Sequence, residues 1–137
     1  MDRPLPEALD ELVAAARAAR DGAYAPYSEF RVGAAVLAGD EIVTGANVEN
    51  ASYSVAICAE RVAAAHAVAR GLRDLRAIAV VGPGEEPTAP CGVCRQFLNE
   101  FNPDLVVVSE GSNGDRLLEP LSALLPEAFG PADLGER

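Results

Sequence analysis

The strongest chemical signal in this chain lies in two short runs, Cys58-Ala59-Glu60 and Pro90-Cys91-Gly92-Val93-Cys94. Alone, the Cys-x-x-Cys pair is ambiguous: that spacing serves a dithiol redox centre in one protein and half of a structural zinc site in another. The third cysteine favours metal. Both runs stand where helices are expected to begin. A helix N-terminus offers unpaired N–H groups and a partial positive charge, and both favour thiolate over thiol. The i, i+3 spacing of Cys91 and Cys94 puts both sulfurs on one side of a first helical turn. Three thiolates match the ligand count of a catalytic zinc site, which keeps its fourth position for water. Glu60 can reach the surroundings of the same ion only if its helix starts at or just before Cys58. Deeper in a helix, side chains two residues apart diverge by roughly 200°. In a first turn Glu60 would stand beside the water as a general acid/base. The sole histidine, His66, lies eight residues past Cys58. That is roughly 12 Å along a helix axis, so it reads as a helix-surface or core residue and not as a ligand. Three thiolates leave a divalent ion with a net negative charge that dulls its effect on water. Arg61 and Arg95, each close behind a ligand, are candidates to donate hydrogen bonds to the sulfurs and offset this.

Such a site needs a scaffold that points two helix starts at one place. Pro4 and Pro6 open a helix with the apolar face Leu9, Leu12, Val13 and Ala16, stopping near Gly22. Phe30 to Ala38 reads as a strand, Gly39-Asp40 as a hairpin turn, and Glu41 to Val48 as the returning strand. A polar connection, Asn50 to Ser54, leads to an Ala-rich helix from about Ala56 to Arg70, closed by Gly71. A strand at Ala77–Val81, a loop from Gly82 to Pro90 and a helix at Cys91–Phe101 follow. Leu105–Val108 and Leu117-Leu118 read as short strands, Leu121–Leu125 as a short helix, and the tail from Gly130 as irregular. Helices alternating with apolar strands after an initial hairpin predict an α/β fold, one mixed sheet covered on both faces. There are no repeats and no linker long enough to split the chain, so residues 1–137 are expected to form a single domain.

Composition narrows the function classes. The chain has 137 residues, half of them hydrophobic, which is enough for a real core. No stretch approaches the ~18–20 apolar residues of a membrane span. Asp2, Glu7, Asp10 and Glu11 argue against a transit peptide, and there is no apolar leader segment, so a cytoplasmic location is expected. With 21 acidic against 11 basic residues, every one of the latter Arg, the net charge is −10. A strand of nucleic acid would need the opposite balance, so neither a nucleic-acid nor a membrane partner is expected. An odd number of cysteines without a signal peptide makes a disulfide framework a poor reading.

Taken together, the motifs resemble a family. Cys-Ala-Glu followed by Pro-Cys-x-x-Cys is the pattern of the zinc nucleobase and nucleoside deaminases, and the chain is most similar to the small, homotetrameric cytidine deaminases. Tyr24-Ala-Pro-Tyr-Ser-Glu-Phe-Arg-Val-Gly-Ala-Ala35 resembles that family's N-terminal motif, and Asn47-Val-Glu-Asn-Ala-Ser-Tyr53 its ribose-binding motif. Ile57-Cys-Ala-Glu-Arg61 and Pro90-Cys-Gly-Val-Cys-Arg-Gln96 resemble its zinc motifs, and Leu124-Leu-Pro-Glu-Ala-Phe-Gly-Pro131 its C-terminal one. The resemblance implies a three-layer α/β/α sandwich with a mixed, roughly five-stranded sheet. It implies one zinc ion per subunit on Cys58, Cys91 and Cys94, with Glu60 as the proton shuttle. It places Asn47 and Glu49 on the ribose hydroxyls, Phe30 against the pyrimidine and Tyr53 at the sugar end. The Ala59 N–H would meet the base carbonyl and the Ala89 carbonyl the amine. Phe129 would enter the site of a neighbouring subunit of a homotetramer. The reaction implied is hydrolysis of cytidine or deoxycytidine to uridine or deoxyuridine plus ammonia, in pyrimidine salvage. A blasticidin-S-type deaminase shares the zinc motifs, and a structural zinc module or a dithiol redox protein are the readings outside this class. Structural roles also exist for the side residues: Phe30 as core, Asn47 as a turn cap, Phe129 as packing under its own tail.

Overall fold

A computed structural model describes residues 6–135; Pro4, expected to help open the first helix, lies outside them. Among these residues nine strands and α-helices follow one another, with three short 3-10 turns between or after them: α1 (Pro6–Ala19), β1 (Gly33–Ala38), β2 (Glu41–Ala46), α2 (Ala59–Ala69), β3 (Leu75–Val81), α3 (Gly92–Asn99), β4 (Val106–Glu110), β5 (Arg116–Pro120) and α4 (Leu121–Leu124). The strands form one five-stranded sheet in the order β2-β1-β3-β4-β5. Only β3 and β4 are parallel, and α3 lies in the crossover between them, as a parallel pair requires.

Side-chain alternation along the strands builds the layers. Ala35, Ala77, Ala79, Val81 and Val108 face Leu9, Leu12, Val13 and Ala16, the four α1 residues picked out by helical spacing. The opposite parity, Val36, Ala38, Ile78 and Val107, packs with Ala64 and Ala67 of α2 and Leu98 of α3. The result is the α/β/α sandwich expected. No helix among the described residues is long and apolar enough to cross a membrane.

Several boundaries differ from those read in the sequence, each for a local reason. The first strand starts at Gly33, not Phe30. Before it, the Asn47 side chain accepts from the Val32 N–H at 2.8 Å and donates to the Phe30 carbonyl at 2.9 Å, standing in for a backbone ladder. The second strand ends at Ala46 because Val48 pairs instead with Tyr24 and Ile57. That pairing holds Ile57 extended, so α2 starts at Ala59 and not near Ala56. The strands β3, β4 and β5 are longer than their apolar runs, extending to Leu75, Glu110 and Arg116.

Small residues set the layer spacing. A Cβ added at Gly45 of β2 would lie 2.4 Å from the backbone nitrogen of Ala63 in α2. Real Cβ atoms do not approach backbone that closely, so α2 sits where it does only because position 45 has no side chain. Gly45→Ala is therefore expected to push α2 outward and to destabilise by about 1–3 kcal/mol, lowering the melting temperature by several degrees. Gly22→Ala, where nothing lies within 4 Å, is the matched control and should leave the melting temperature unchanged or slightly raised. Differential scanning calorimetry on both variants checks this.

Candidate active site

The helix α2 starts with Cys58 in its N-cap position and α3 starts with Cys91 in its own, both with extended backbone. Neither sulfur caps its own helix, so the first-turn N–H groups stay available at both mouths. Cys94, in the first turn of α3, is fully buried. The three Sγ atoms lie within 4.8 Å of one another, with Cys58–Cys91 at 3.9 Å and Cys91–Cys94 at 3.5 Å. Tetrahedral coordination with Zn–S bonds of ~2.3 Å needs sulfurs ~3.8 Å apart. The observed separations bracket that edge, so three soft donors are spaced as zinc requires. None of the cysteines is in a disulfide.

Charge around the sulfurs is arranged to suit a thiolate. The Cys58 thiol is pushed down to about 5, foremost by the neighbouring Cys94 thiol, then by Arg61 and Cys91, against a burial effect that raises it. The reciprocal interaction with Cys58, together with burial, pushes Cys94 well above the usual thiol range. Arg61 donates to Cys58 Sγ at 3.8 Å and to the Ala56 carbonyl at 3.4 Å. Its Nε is buried with no acceptor among the described residues. Arg95 does not share this role, which corrects the sequence reading. Its guanidinium is drawn away by two carbonyls, Pro90 and Leu124, both at 2.8 Å. It braces the residue before Cys91 and ties α3 to α4. His66 is exposed at the far end of α2, with Nδ1 3.1 Å from the Thr44 carbonyl, and takes no part.

Glu60 sits in the first turn of α2 and is only 4 % exposed. Burial, aided by the nearby Cys58, pushes its carboxyl up to about 7, a value suited to exchanging a proton near neutrality. A cavity of about 250 Å³ opens in front of these groups, lined by Cys58, Glu60 and Cys91 together with Phe30, Asn47, Ala59 and Ala89. Those seven were expected at one site, and one pocket holds them. Glu49 and Tyr53 line a neighbouring cleft of about 310 Å³ instead. There Tyr53 stands edge-on to Tyr27, their ring centroids 6.4 Å apart. Phe129 lines neither cavity; it is 59 % exposed, and its carbonyl accepts from Gln96 at 2.8 Å and Asn99 at 3.3 Å.

Two further residues matter that the sequence reading passed over. Ser109, buried at the end of β4, accepts from the Thr88 N–H at 2.9 Å and so fixes the loop that carries Ala89. A lone serine closing the apolar run Leu105-Val-Val-Val108 was the available signal. Ser28 donates to the Glu49 carboxylate; it stood unnoticed inside the Tyr24–Ala35 motif.

Three clustered cysteine sulfurs at paired helix mouths, with a buried carboxyl beside them, on an α/β/α sandwich, suit a metal-dependent hydrolytic site. Comparison with known proteins narrows the class. Residues 6–110 match the family described as the cytidine and deoxycytidylate deaminase zinc-binding region. A cytidine deaminase of Sporosarcina psychrophila is 45% identical over 128 residues, covering 92% of this chain and 94% of that protein. One from Halalkalibacterium halodurans is 46% identical over 127 residues, covering 91% and 96%. The crystal structure of cytidine deaminase from Burkholderia pseudomallei superposes with a TM-score of 0.85 at 49% identity, over 88% of this chain and 98% of that one. The chain belongs to the cytidine and deoxycytidylate deaminase family, and zinc is the metal its cysteine cluster suits.

The roles of the two arginines separate in the zinc-free protein. Arg61→Ala removes a cation and a donor that hold the Cys58 thiol down, so the thiolate titration should move to higher pH. Arg95→Ala should leave that titration in place, because Arg95 reaches no sulfur. Ultraviolet thiolate absorbance followed against pH distinguishes the two variants.

Proposed function

We propose that this chain hydrolyses cytidine and deoxycytidine to uridine and deoxyuridine, releasing ammonia. The observation that carries the reading is the buried Glu60 carboxyl beside three converging sulfurs, facing a pocket of nucleoside scale. Cys58, Cys91 and Cys94 would hold the zinc. When bound, the metal supplies Lewis-acid activation that brings the pKa of a water toward neutrality.

The chain's own residues do the rest. Glu60 takes a proton from the attacking water and delivers it to the ring nitrogen N3, which makes C4 more electrophilic. The C4–O bond forms; Glu60 then takes the remaining proton from the new C4 hydroxyl and passes it to the amine, and the C4–N bond breaks as ammonia leaves and the C4 carbonyl forms. A carboxyl held at about 7 by burial can both accept and give that proton. The Ala59 N–H, at the positive end of α2, donates to the base carbonyl, and the Ala89 carbonyl accepts from the amine. Phe30 covers the face of the ring.

At the sugar end, Asn47 and Glu49 keep capacity after their structural bonds. Asn47 uses one lone pair and one N–H on the Phe30–Val32 backbone, leaving one of each for a hydroxyl. Glu49 is held below the usual carboxylate range by the Ser28 hydroxyl, helped by the Tyr27 and Ser28 N–H groups. It is thus an ionised acceptor for a neutral hydroxyl and would repel a phosphate. Tyr53 would close that end, and Phe129, held out at the surface by its carbonyl, would reach the site of a neighbouring subunit. This supports a homotetramer of single-domain subunits with shared active sites. The absence of a basic surplus, with a net charge of −10, supports a free nucleoside over nucleic acid. Pyrimidine salvage in the cytoplasm is the setting such a substrate fits. Blasticidin-type and purely structural zinc readings are not favoured: the named relatives are cytidine deaminases, and a structural site has no use for a buried acid beside an open face.

Glu60→Ala should keep one zinc per chain and the native melting profile while kcat falls by at least ~10²–10⁴. Turnover near the wild-type rate, with metal measured on the same sample, would show the proton carrier to be elsewhere. Cytidine and deoxycytidine should both be turned over, and CMP or dCMP more slowly by upwards of about tenfold; comparable rates on the nucleotides would contradict the role given to Glu49.

A further inference from the structure

We propose that Ser28 is a positioning residue for the cleft that would take the sugar, holding the Glu49 carboxylate in the orientation that meets a ribose hydroxyl. The inference rests on the reading of Glu49 as a ribose ligand. Its basis is a network that ties two segments far apart in sequence. The Glu49 Oε1 accepts from the N–H groups of Tyr27 at 2.9 Å and Ser28 at 3.2 Å. Its Oε2 accepts from the Ser28 hydroxyl.

The direction of that last bond is fixed. An ionised carboxylate only accepts, and a hydroxyl has one proton. The Ser28 Oγ also accepts the Phe30 N–H at 3.0 Å, which occupies a lone pair and leaves the proton for Glu49. Between Ser28 and Phe30, Glu29 adopts a φ of 59°, a left-handed conformation rare outside glycine that persists only where surrounding contacts impose it. The Ser28 Oγ bridges across that residue, so the unusual backbone and the aimed hydroxyl belong to one arrangement. Ser28 is exposed and fills no core volume, so packing does not explain it. Phe30 stays pinned without it, through its carbonyl to Asn47. Loss of the hydroxyl should therefore free Glu49 and leave the base-covering face in place. The two backbone bonds to Oε1 would remain, so the effect should be smaller than that of removing Glu49 itself.

The test measures kcat and KM of the zinc-loaded enzyme on cytidine and on 2′,3′-dideoxycytidine, which lacks the hydroxyls. The variants are Ser28→Ala, Ser28→Thr, Glu49→Ala and the Ser28→Ala/Glu49→Ala double substitution. Ser28→Ala should raise KM for cytidine about tenfold, equivalent to about 1.4 kcal/mol, with kcat within about threefold of wild type. The preference for cytidine over the dideoxy substrate should fall by the same factor. Ser28→Thr keeps the hydroxyl at an exposed position and should restore both values. In the Glu49→Ala background, Ser28→Ala should add nothing further. Equal losses on both substrates, failure of threonine to rescue, or multiplied losses in the double variant would overturn the inference. If Glu49→Ala leaves the substrate preference intact, the Glu49 reading itself is wrong. If Glu49→Ala abolishes the preference while Ser28→Ala preserves it, only the role of Ser28 falls.

Discussion

The structure turns on the opening of two helix N-termini onto the same few ångströms. The helices α2 and α3 each begin one residue after a cysteine, and each of those cysteines is extended and leaves its own helix uncapped. Two positive helix ends thus open beside the sulfur cluster, and Arg61 adds a donor at 3.8 Å from Cys58. Bringing two positive helix ends together is unfavourable unless negative charge lies between them. A Cys58 thiolate supplies it: that thiol is pushed down to about 5, foremost by the Cys94 thiol and then by Arg61 and Cys91, against burial. The spacing that serves this electrostatic purpose is also the edge length of a zinc–thiolate tetrahedron. Layer packing holds the geometry from behind. With no side chain at Gly45 against Ala63, and with Ala34 and Ala59 buried in the same cluster, α2 lies close on the sheet, and the height of its first turn is set.

At the proposed sugar end, the polar side chains are already held by structural bonds. Asn47 replaces two rungs of a strand ladder, and Glu49 is fixed by three donors from Tyr27 and Ser28. Side chains whose rotamers are locked by structural bonds lose little further freedom on binding, which is the condition for a preorganised site. The same commitment explains why Phe30 precedes the strand instead of lying within it: the chain there is held by side chains, and the ring is left 48 % exposed over the pocket.

Much of this was legible in the sequence. Residue type and spacing located the cysteine cluster and demanded a helix start at or just before Cys58, which falls one residue later, at Ala59; helical period picked out the buried face of α1. Local patterns were less informative where a side chain replaced a backbone bond. Nothing in the composition of Phe30-Arg31-Val32 signals that Asn47, 15 residues away, will take their hydrogen bonds. Arg61 and Arg95 look alike in sequence, each following a cysteine. The structure sends one to sulfur and the other to carbonyls, because Arg95 on α3 has the Leu124 carbonyl of α4 within reach. Nor does any residue pattern signal that Tyr53 lines a different cleft from Cys58, Glu60 and Cys91.

Glu49 and Glu60 show how environment divides one side-chain chemistry into two kinds of behaviour, which suit the two roles proposed for them. Glu49 is exposed, and three hydrogen-bond donors stabilise its charged form, so it stays ionised and serves only as an acceptor. Glu60 is buried beside a sulfur that carries negative charge, and both conditions disfavour its ionised form. A carboxyl pushed to about 7 can lose and regain a proton within one turnover, as the deamination proposed here requires. Exchanging the environments would defeat both: a titrating Glu49 would lose its hold on a hydroxyl, and a permanently ionised Glu60 could not deliver a proton to the ring. The acid proposed to bind therefore stands at the wet rim on a turn, and the acid proposed to react stands in the first turn of the helix whose N-cap is Cys58.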